Sequence, residues 1–352
     1  MVTINYMGKK TKLLGFIEDT IKDLDINTFF DAFSGSGVVS SYFKNKYNII
    51  SNDKQYYSEL INNVNLINKY DKRILLKYIR ELNNLKYIKN DNFYSDNYSC
   101  SYNNGISIGT DNNPKIWIDY NAKKIDIIRT KIDTYKDKTI RDYLIYCLII
   151  ASEKVSNTIG HQNGYLKKWC KRSLNKLELK YIEISKTNKN HKVFKEDIFD
   201  LLKNIKCDLV YYDPPYGTNN KKLSVATRYS SFYHLWNTMV KNDRPELFGK
   251  ARKPIETKGW TPDLEKNKKE IIIPLYKKLI DKSNSKYVLF SYSNQGLLNK
   301  EDFKNLSDCY NISFFEKEYK INNQTKLAKK DGKYIDREKE KKLKELLILI
   351  KK

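Results

Sequence analysis

The chain of 352 residues is poor in the groups that staple, span or chelate. Its five cysteines (Cys100, Cys147, Cys170, Cys207 and Cys309) are scattered and odd in number, with no C-x-x-C pair. That argues against a disulfide framework or a zinc site and fits reduced thiols inside a cell. Histidine occurs only three times, and His161 has no second His or Cys at ligand spacing, so no metal is expected. No apolar stretch approaches the length of a membrane span, and MVTINYMGKK lacks the apolar core of a signal peptide. A cytoplasmic protein without a membrane partner is expected. No internal repeat is present, which excludes solenoids and propellers. The length suits one large α/β domain with an insertion, or two modest domains.

What is abundant is positive charge. Lysine and arginine number 66 against 42 acids, a formal net charge of +24. Such an excess suits a polyanionic partner. A second reading stands beside it: Lys, Asn, Ile and Tyr are the residues of AT-rich codons, so part of the excess reflects genome composition. Charge is therefore supporting evidence only.

Periodicity organises the chain. TKLLGFIEDTIK (11–22) has helical spacing at Leu13, Leu14, Ile17 and Ile21. NTFFDAF reads as a buried strand entering SGSG, VVSSYFKNK as a helix, and NIISND as a second strand ending in Asp53. After about residue 65 polar residues dominate, and 91–115 reads as loops and short hairpins. A helix is predicted around DYLIYCLIIASEKV, and LKKWCKR reads as a basic helix end. Strands resume at HKVFKED, CDLVYYD, KYVLFSYS, NISFFEKEY and ELLILI. FYHLW reads as the start of a helix with Leu235 and Trp236 in the core. The 321–344 segment reads as charged and mobile, and EKEKKLKEL within it and beyond as a solvated helical face.

Two places carry chemistry. DAFSGSG (31–37) sets an acid and two glycines after a strand, where tight turning and close ligand approach are possible. Ser40 stands where a dinucleotide fingerprint has its third glycine, which disfavours a nicotinamide loop. Asp53 is placed for ribose hydroxyls, and alone it reads equally well as a solvated strand-end acid. In YYDPPYGTNN (211–220) two prolines end a strand, since each lacks the ladder N–H and fixes its own φ. The result is a stiff corner that holds a carboxylate and a ring: a plain turn, or a clamp for a flat polar substrate.

Tyr6-x-Gly8-x-Lys10-x-x-Leu13-Leu14, DAFSGSG, NDK, ED before IF, and YYDPPY occur in one order. This ordered set resembles the Dam-like DNA adenine-N6 methyltransferases, of the type II modification-enzyme kind. The resemblance runs from about Asn5 to the C-terminus and is weakest in the middle third and at 321–344. It implies an α/β fold: a Rossmann-like S-adenosylmethionine-dependent methyltransferase sheet of seven strands, the last hairpin antiparallel, with an inserted target-recognition region. Residues 1–64 and 190–352 would form the catalytic domain, and 65–189 the inserted, partly helical DNA-contact region.

By the same resemblance, Tyr6 and Lys10 lie beside the cofactor S-adenosylmethionine. Asp31, Phe33, Ser34, Gly35, Ser36 and Gly37 surround its methionine part. Asp53 takes the ribose hydroxyls, and Asp197 with Ile198 addresses the adenine ring. Asp213, Pro214, Pro215 and Tyr216 form the catalytic corner. Asp213 and the Pro214 carbonyl would accept hydrogen bonds from the target amino group, Pro215 stiffens the turn, and Tyr216 offers a stacking face. Flipping a base costs a few kcal/mol and stacking on an aromatic recovers about 1–3 kcal/mol.

Duplex contact falls to Lys9, His161, Lys167, Lys168, Lys221, Lys222 and Arg228, each of which also reads as ordinary solvated surface. The implied partner is double-stranded DNA, with a cognate restriction endonuclease if the enzyme is not an orphan. Cytosine-N4 transfer is the nearest alternative, although those enzymes more often have Ser at the place of Asp213. RNA adenine methylation and a non-catalytic nucleic-acid-binding partner of the same fold complete the alternatives.

Overall fold

A computed structural model of the protein describes residues 3–88, 92–219, 229–259, 261–307, 309–319, 327–330, 333–336 and 343–352. Seven strands form one sheet: β1 (Thr28–Asp31), β2 (Asn48–Asn52), β3 (Lys192–Phe194), β4 (Lys206–Tyr212), β5 (Asn284–Ser293), β6 (Asn311–Tyr319) and β7 (Leu343–Lys351). Their spatial order is 3-2-1-4-5-7-6. The pairs β2–β3, β1–β4 and β4–β5 are parallel, whereas β7 runs antiparallel between β5 and β6. The Rossmann-like sheet with an antiparallel final hairpin is therefore present.

The sequence explains this order. The residues Leu209 to Tyr212 of β4 are fully buried, as a strand covered on both faces requires. Leu346–Ile350 is likewise buried throughout, which suits β7 to an interior position between two strands rather than an edge. Strand succession reverses beside β1, and in open parallel sheets ligands bind outside the carboxyl ends at such a switch. Both chemical motifs leave the sheet there: the Gly loop follows β1 and the DPPY corner follows β4.

The chain divides into two compact units. The first comprises Met1–Thr11, Ser34–Lys195 and Tyr229–Trp260. Its core gathers around the helix Lys138–Lys154, whose residues Asp142 to Glu153 are all buried and whose first turn is capped by the Asp137 carboxylate. The second comprises Lys12–Phe33, Glu196–Arg228 and Thr261–Lys352. Aromatic rings pack there, with Tyr276 stacked on Phe290 and Tyr292 edge-on to Phe303.

Some local expectations fail. Within the 91–115 stretch lies a helix, Phe93–Tyr98. Its first N–H groups, from Tyr94 and Ser95, are capped by the Asp126 carboxylate at 2.8 and 2.9 Å, a partner 31–32 residues away that no local period reveals. LKKWCKR is not a helix end: Lys168 bridges to Ile106, and only a 3-10 turn, Lys171–Leu174, follows. Leu343 and Lys344, read within a helical face, lie on β7, and Glu345 belongs to that strand as the ELLILI reading has it. Leu235 and Trp236 are buried on the helix His234–Lys241, as expected. Within 321–344, the strands Leu327–Lys330 and Lys333–Asp336 pair antiparallel, and the segment's last two residues lie on β7; for the remainder the reading as mobile falls outside the described residues.

Candidate active site

In the second unit, register places Asp31 beside Tyr211, and the Ala32 N–H donates to the Tyr211 carbonyl at 3.1 Å. The chains leaving β1 and β4 thus emerge as neighbours. After β4, Pro214 is buried, and the corner is held from several sides. Tyr292 donates its hydroxyl to the Tyr216 carbonyl at 2.7 Å, and the Leu297 N–H reaches the same oxygen at 3.1 Å. The Thr218 N–H donates to Asn267 Oδ1 at 2.7 Å. Gly217 adopts φ +65°, and a Cβ there would meet Asn267 Oδ1 at 2.7 Å and Leu297 Cβ at 3.0 Å, so the turn requires glycine.

The side chains of the corner interlock. Tyr216 donates its hydroxyl to Asp213 Oδ1 at 2.6 Å, and its ring lies 4.9 Å from that of Tyr292. Glu345, buried on β7, has Oε1 at 3.3 Å from the Tyr216 hydroxyl and accepts the Ser291 hydroxyl at 2.5 Å. Burial first, then the negative charges of Asp213 and Glu345, hold the Tyr216 phenol well above its usual range. The phenol therefore keeps its proton and acts as a donor.

Elsewhere in this unit, Phe33 lies 6.1 Å from Tyr212, ring to ring. Asp197 caps the short helix Ile198–Leu201 by accepting the Phe199 N–H at 2.9 Å, and Ile198 is buried beside it.

The first unit carries the rest of the Gly loop. Ser34, Gly35, Ser36 and Gly37 are all buried. The Ser34 N–H and hydroxyl both donate to the Asn52 carbonyl, at 2.9 and 3.1 Å, and Asn62 Nδ2 donates to Ser34 Oγ at 3.0 Å. Gly35 adopts φ +48°, and a Cβ there would stand 2.9 Å from the Tyr6 ring. Asp53 accepts the Gly35 N–H through Oδ2 and the Gln55 N–H through Oδ1, both at 2.9 Å. The residue keeps partial exposure, yet burial of its carboxyl pushes the pKa up to about 6 against the opposing pull of those N–H groups. Tyr6, Gly35 and Asp53 are thus brought together.

The N-terminal segment is pinned in place. The Tyr6 ring stacks on Tyr233 at 4.6 Å and on Tyr229 at 5.6 Å. The Met7 N–H donates to the Tyr233 hydroxyl at 2.7 Å. Both carboxylate oxygens of the buried Glu153 accept the Asn5 N–H, at 2.8 and 2.9 Å. Burial raises the Glu153 carboxyl to about 7. Lys10 is buried in the 3-10 turn Lys10–Lys12, and burial lowers the pKa of Lys9.

Among the residues expected at DNA, Lys167 and Lys168 are exposed. His161 is half-buried with its ring stacked 4.4 Å from Phe232, and burial lowers its pKa, which disfavours a cationic role. Lys221, Lys222 and Arg228 lie outside the described residues. Among the described residues there is no cluster able to hold a metal ion and no helix long and apolar enough to cross a membrane.

Sequence reasoning missed Glu345, Glu153, Asn62 and Tyr233. Glu345 opens an apolar run, where a charge reads as a strand end, and Glu153 sits in a helix whose other face was already apolar. Only long-range pairing reveals either.

Comparison with known proteins identifies the family. The chain matches the D12 class N6 adenine-specific DNA methyltransferases over residues 6–306. It is 31% identical over 331 residues to the type II methyltransferase M.FokI of Planomicrobium okeanokoites, covering 90% of this chain and 49% of that protein. It is 32% identical over 322 residues to the modification methylase StsI of Streptococcus sanguinis, covering 88% and 47%. With the type II methyltransferase M.NlaIII of Neisseria lactamica it shares 29% identity over 308 residues, covering 84% and 85%. The chain thus spans about half the length of the first two relatives and most of the third. With its sheet order, Gly loop and DPPY corner, the chain belongs to the D12 class of N6 adenine-specific DNA methyltransferases.

Proposed function

We propose that this protein methylates the N6 amino group of an adenine flipped out of duplex DNA, at specific sites, with S-adenosylmethionine as the methyl donor. The observation that carries the reading is the corner after β4, where Asp213 is locked by the Tyr216 hydroxyl at 2.6 Å and the backbone on both sides is clamped. An exocyclic amine delocalises its lone pair into the ring and is a poor nucleophile. Asp213 and the Pro214 carbonyl would accept its two hydrogens, favour the pyramidal nitrogen and stabilise the growing positive charge. A rigid acceptor set needs no reorganisation at the moment of reaction. Tyr216, anchored through its hydroxyl, would present its ring to the base.

The residues of the first unit fit the cofactor. Asp53 is a closely surrounded acid held at about 6, short of the donors that would settle its charge, and a ribose diol supplies two such donors. Gly35 and Gly37 have φ of +48° and +70°, and the backbone they leave bare allows close approach. Tyr6, Lys10, Ser34, Ser36 and, by motif, Asp31, Phe33, Asp197 and Ile198 complete the proposed binding set. When bound, S-adenosylmethionine supplies an electrophilic sulfonium methyl group. The region 65–189 is proposed as the inserted target-recognition part of an intracellular enzyme, and a cognate endonuclease as its partner in a restriction–modification pair.

Asp213→Ala tests the reading. Transfer to duplex DNA in a single turnover should fall at least about 100-fold, the scale for losing one preorganised electrostatic group. Cofactor binding by calorimetry should stay close to that of the parent. Near-parental transfer by the variant would overturn the mechanism.

A further inference from the structure

The corner contains a competition that the proposed chemistry has to resolve. Asp213 is needed as an acceptor for the target amino group, yet its Oδ1 already receives the Tyr216 hydroxyl at 2.6 Å. A phenol has one hydrogen to give. A second carboxylate oxygen, Glu345 Oε1, lies 3.3 Å from the same hydroxyl. Glu345 is 2% exposed, comes from the last strand of the chain, and is oriented by the Ser291 hydroxyl on β5 at 2.5 Å. The Tyr216 main chain is tethered through its carbonyl, which accepts from Tyr292 and Leu297, and its ring packs 4.9 Å from that of Tyr292. Rotation about the C–O bond alone therefore redirects the hydrogen from one carboxylate to the other.

We propose that Glu345 is a positioning residue for methyl transfer: it is the alternative acceptor to which the Tyr216 hydroxyl turns when a target amine takes its place on Asp213. The inference rests on the proposed function of the same corner. It accounts for a buried acid at the start of the apolar run Leu346–Ile350, where an unpaired carboxylate is costly. With Glu345, arrival of the substrate exchanges one hydrogen-bonded arrangement for another. Without it, the phenol hydrogen displaced by the amine loses this acceptor, and part of the acceptor strength of Asp213 is lost.

Glu345→Met removes the acceptor at similar volume, and Glu345→Gln keeps an acceptor oxygen. Single-turnover methylation of duplex DNA at saturating cofactor should fall about 10–100-fold in Glu345→Met, the range for a hydrogen bond to a charged group. The loss should appear in the maximal rate rather than in DNA or cofactor affinity, and Glu345→Gln should recover most of it. The decisive arm is Tyr216→Phe, which deletes the competing hydrogen. In that background Glu345→Met should cost less than about threefold, because the phenol hydrogen that Glu345 is proposed to receive is gone. A purely structural role would leave the Glu345→Met loss undiminished in the double variant and would overturn the inference. Full activity of Glu345→Met would also overturn it. Either result leaves the proposed function standing provided Asp213→Ala is inactive, whereas an active Asp213→Ala would remove the foundation of both. Thermal melting and cofactor calorimetry on each variant distinguish misfolding, and if Glu345→Met does not fold, the same comparison made with Glu345→Leu, which also removes the acceptor, carries the test.

Discussion

Asp53 shows what a single residue contributes. Its carboxyl stands at about 6, above the ordinary 3.8, because burial outweighs the N–H groups of Gly35 and Gln55. A raised acid favours the folded state fully only below about 3.8, and that contribution is lost as pH rises through about 6. If ribose hydroxyls settle the carboxylate, binding returns its pKa toward the ordinary value and releases a proton. Affinity for S-adenosylmethionine should then be about tenfold weaker at pH 5 than at pH 7.5, and Asp53→Asn should flatten that dependence. Calorimetry across this range checks it, and a flat profile for the parent would show that Asp53 does not meet the cofactor. Asp53 and Asp213 were legible in the sequence because each ends a strand beside a motif. Glu345 was not, since its meaning depends on Tyr216, 129 residues earlier.

At the scale of elements, β7 is the strand on which the sheet and the corner both depend. It pairs with β5 from Glu345↔Ser293 to Lys351↔Tyr287 and with β6 along its whole length. Ile348 is fully buried between these partners. Ile348→Ala should destabilise the fold by about 2–5 kcal/mol, the range for such truncations in cores. Chemical denaturation measures it, and a change below about 1 kcal/mol would mean that β7 is dispensable to the core. All seven sheet strands were legible as apolar or alternating runs. The helix Phe93–Tyr98 was not, because its cap comes from Asp126 rather than from a neighbouring residue. The basic LKKWCKR stretch misled for the same reason: composition suggested a helix end, while the backbone of residues 167–169 is hydrogen-bonded to that of 105–107.

For the whole molecule, of net charge +24, the proposed function raises the question of how a target site would be read. In the proposed reaction the corner after β4 meets only the flipped base, so neighbouring pairs would be read from a groove, chiefly the major groove, where all four are distinguishable. Within the inserted region the structure joins two stretches that are far apart in sequence. Ser107 donates its N–H to the Lys167 carbonyl at 2.9 Å, Trp169 donates to Gly105 at 2.8 Å, and Ile106 bridges to Lys168. Residues 103–107 and 165–169 are therefore one hydrogen-bonded body, not two independent loops. Lys167 and Lys168 project from it, exposed. Replacing either by alanine should weaken binding to all duplexes alike and reduce the logarithmic salt slope by about one, as expected for a lost phosphate contact. A base reader behaves differently: its loss relaxes preference at one position and leaves the salt slope nearly unchanged. An alanine scan of 91–118 and 156–172, read by sequencing a methylated randomised duplex library, separates the two classes. Because the two stretches share a ladder, substitutions that break it should alter several positions together, whereas side chains at its surface should alter one. If every variant keeps the parental site preference, recognition lies outside this body, and the lysines serve only to hold the duplex.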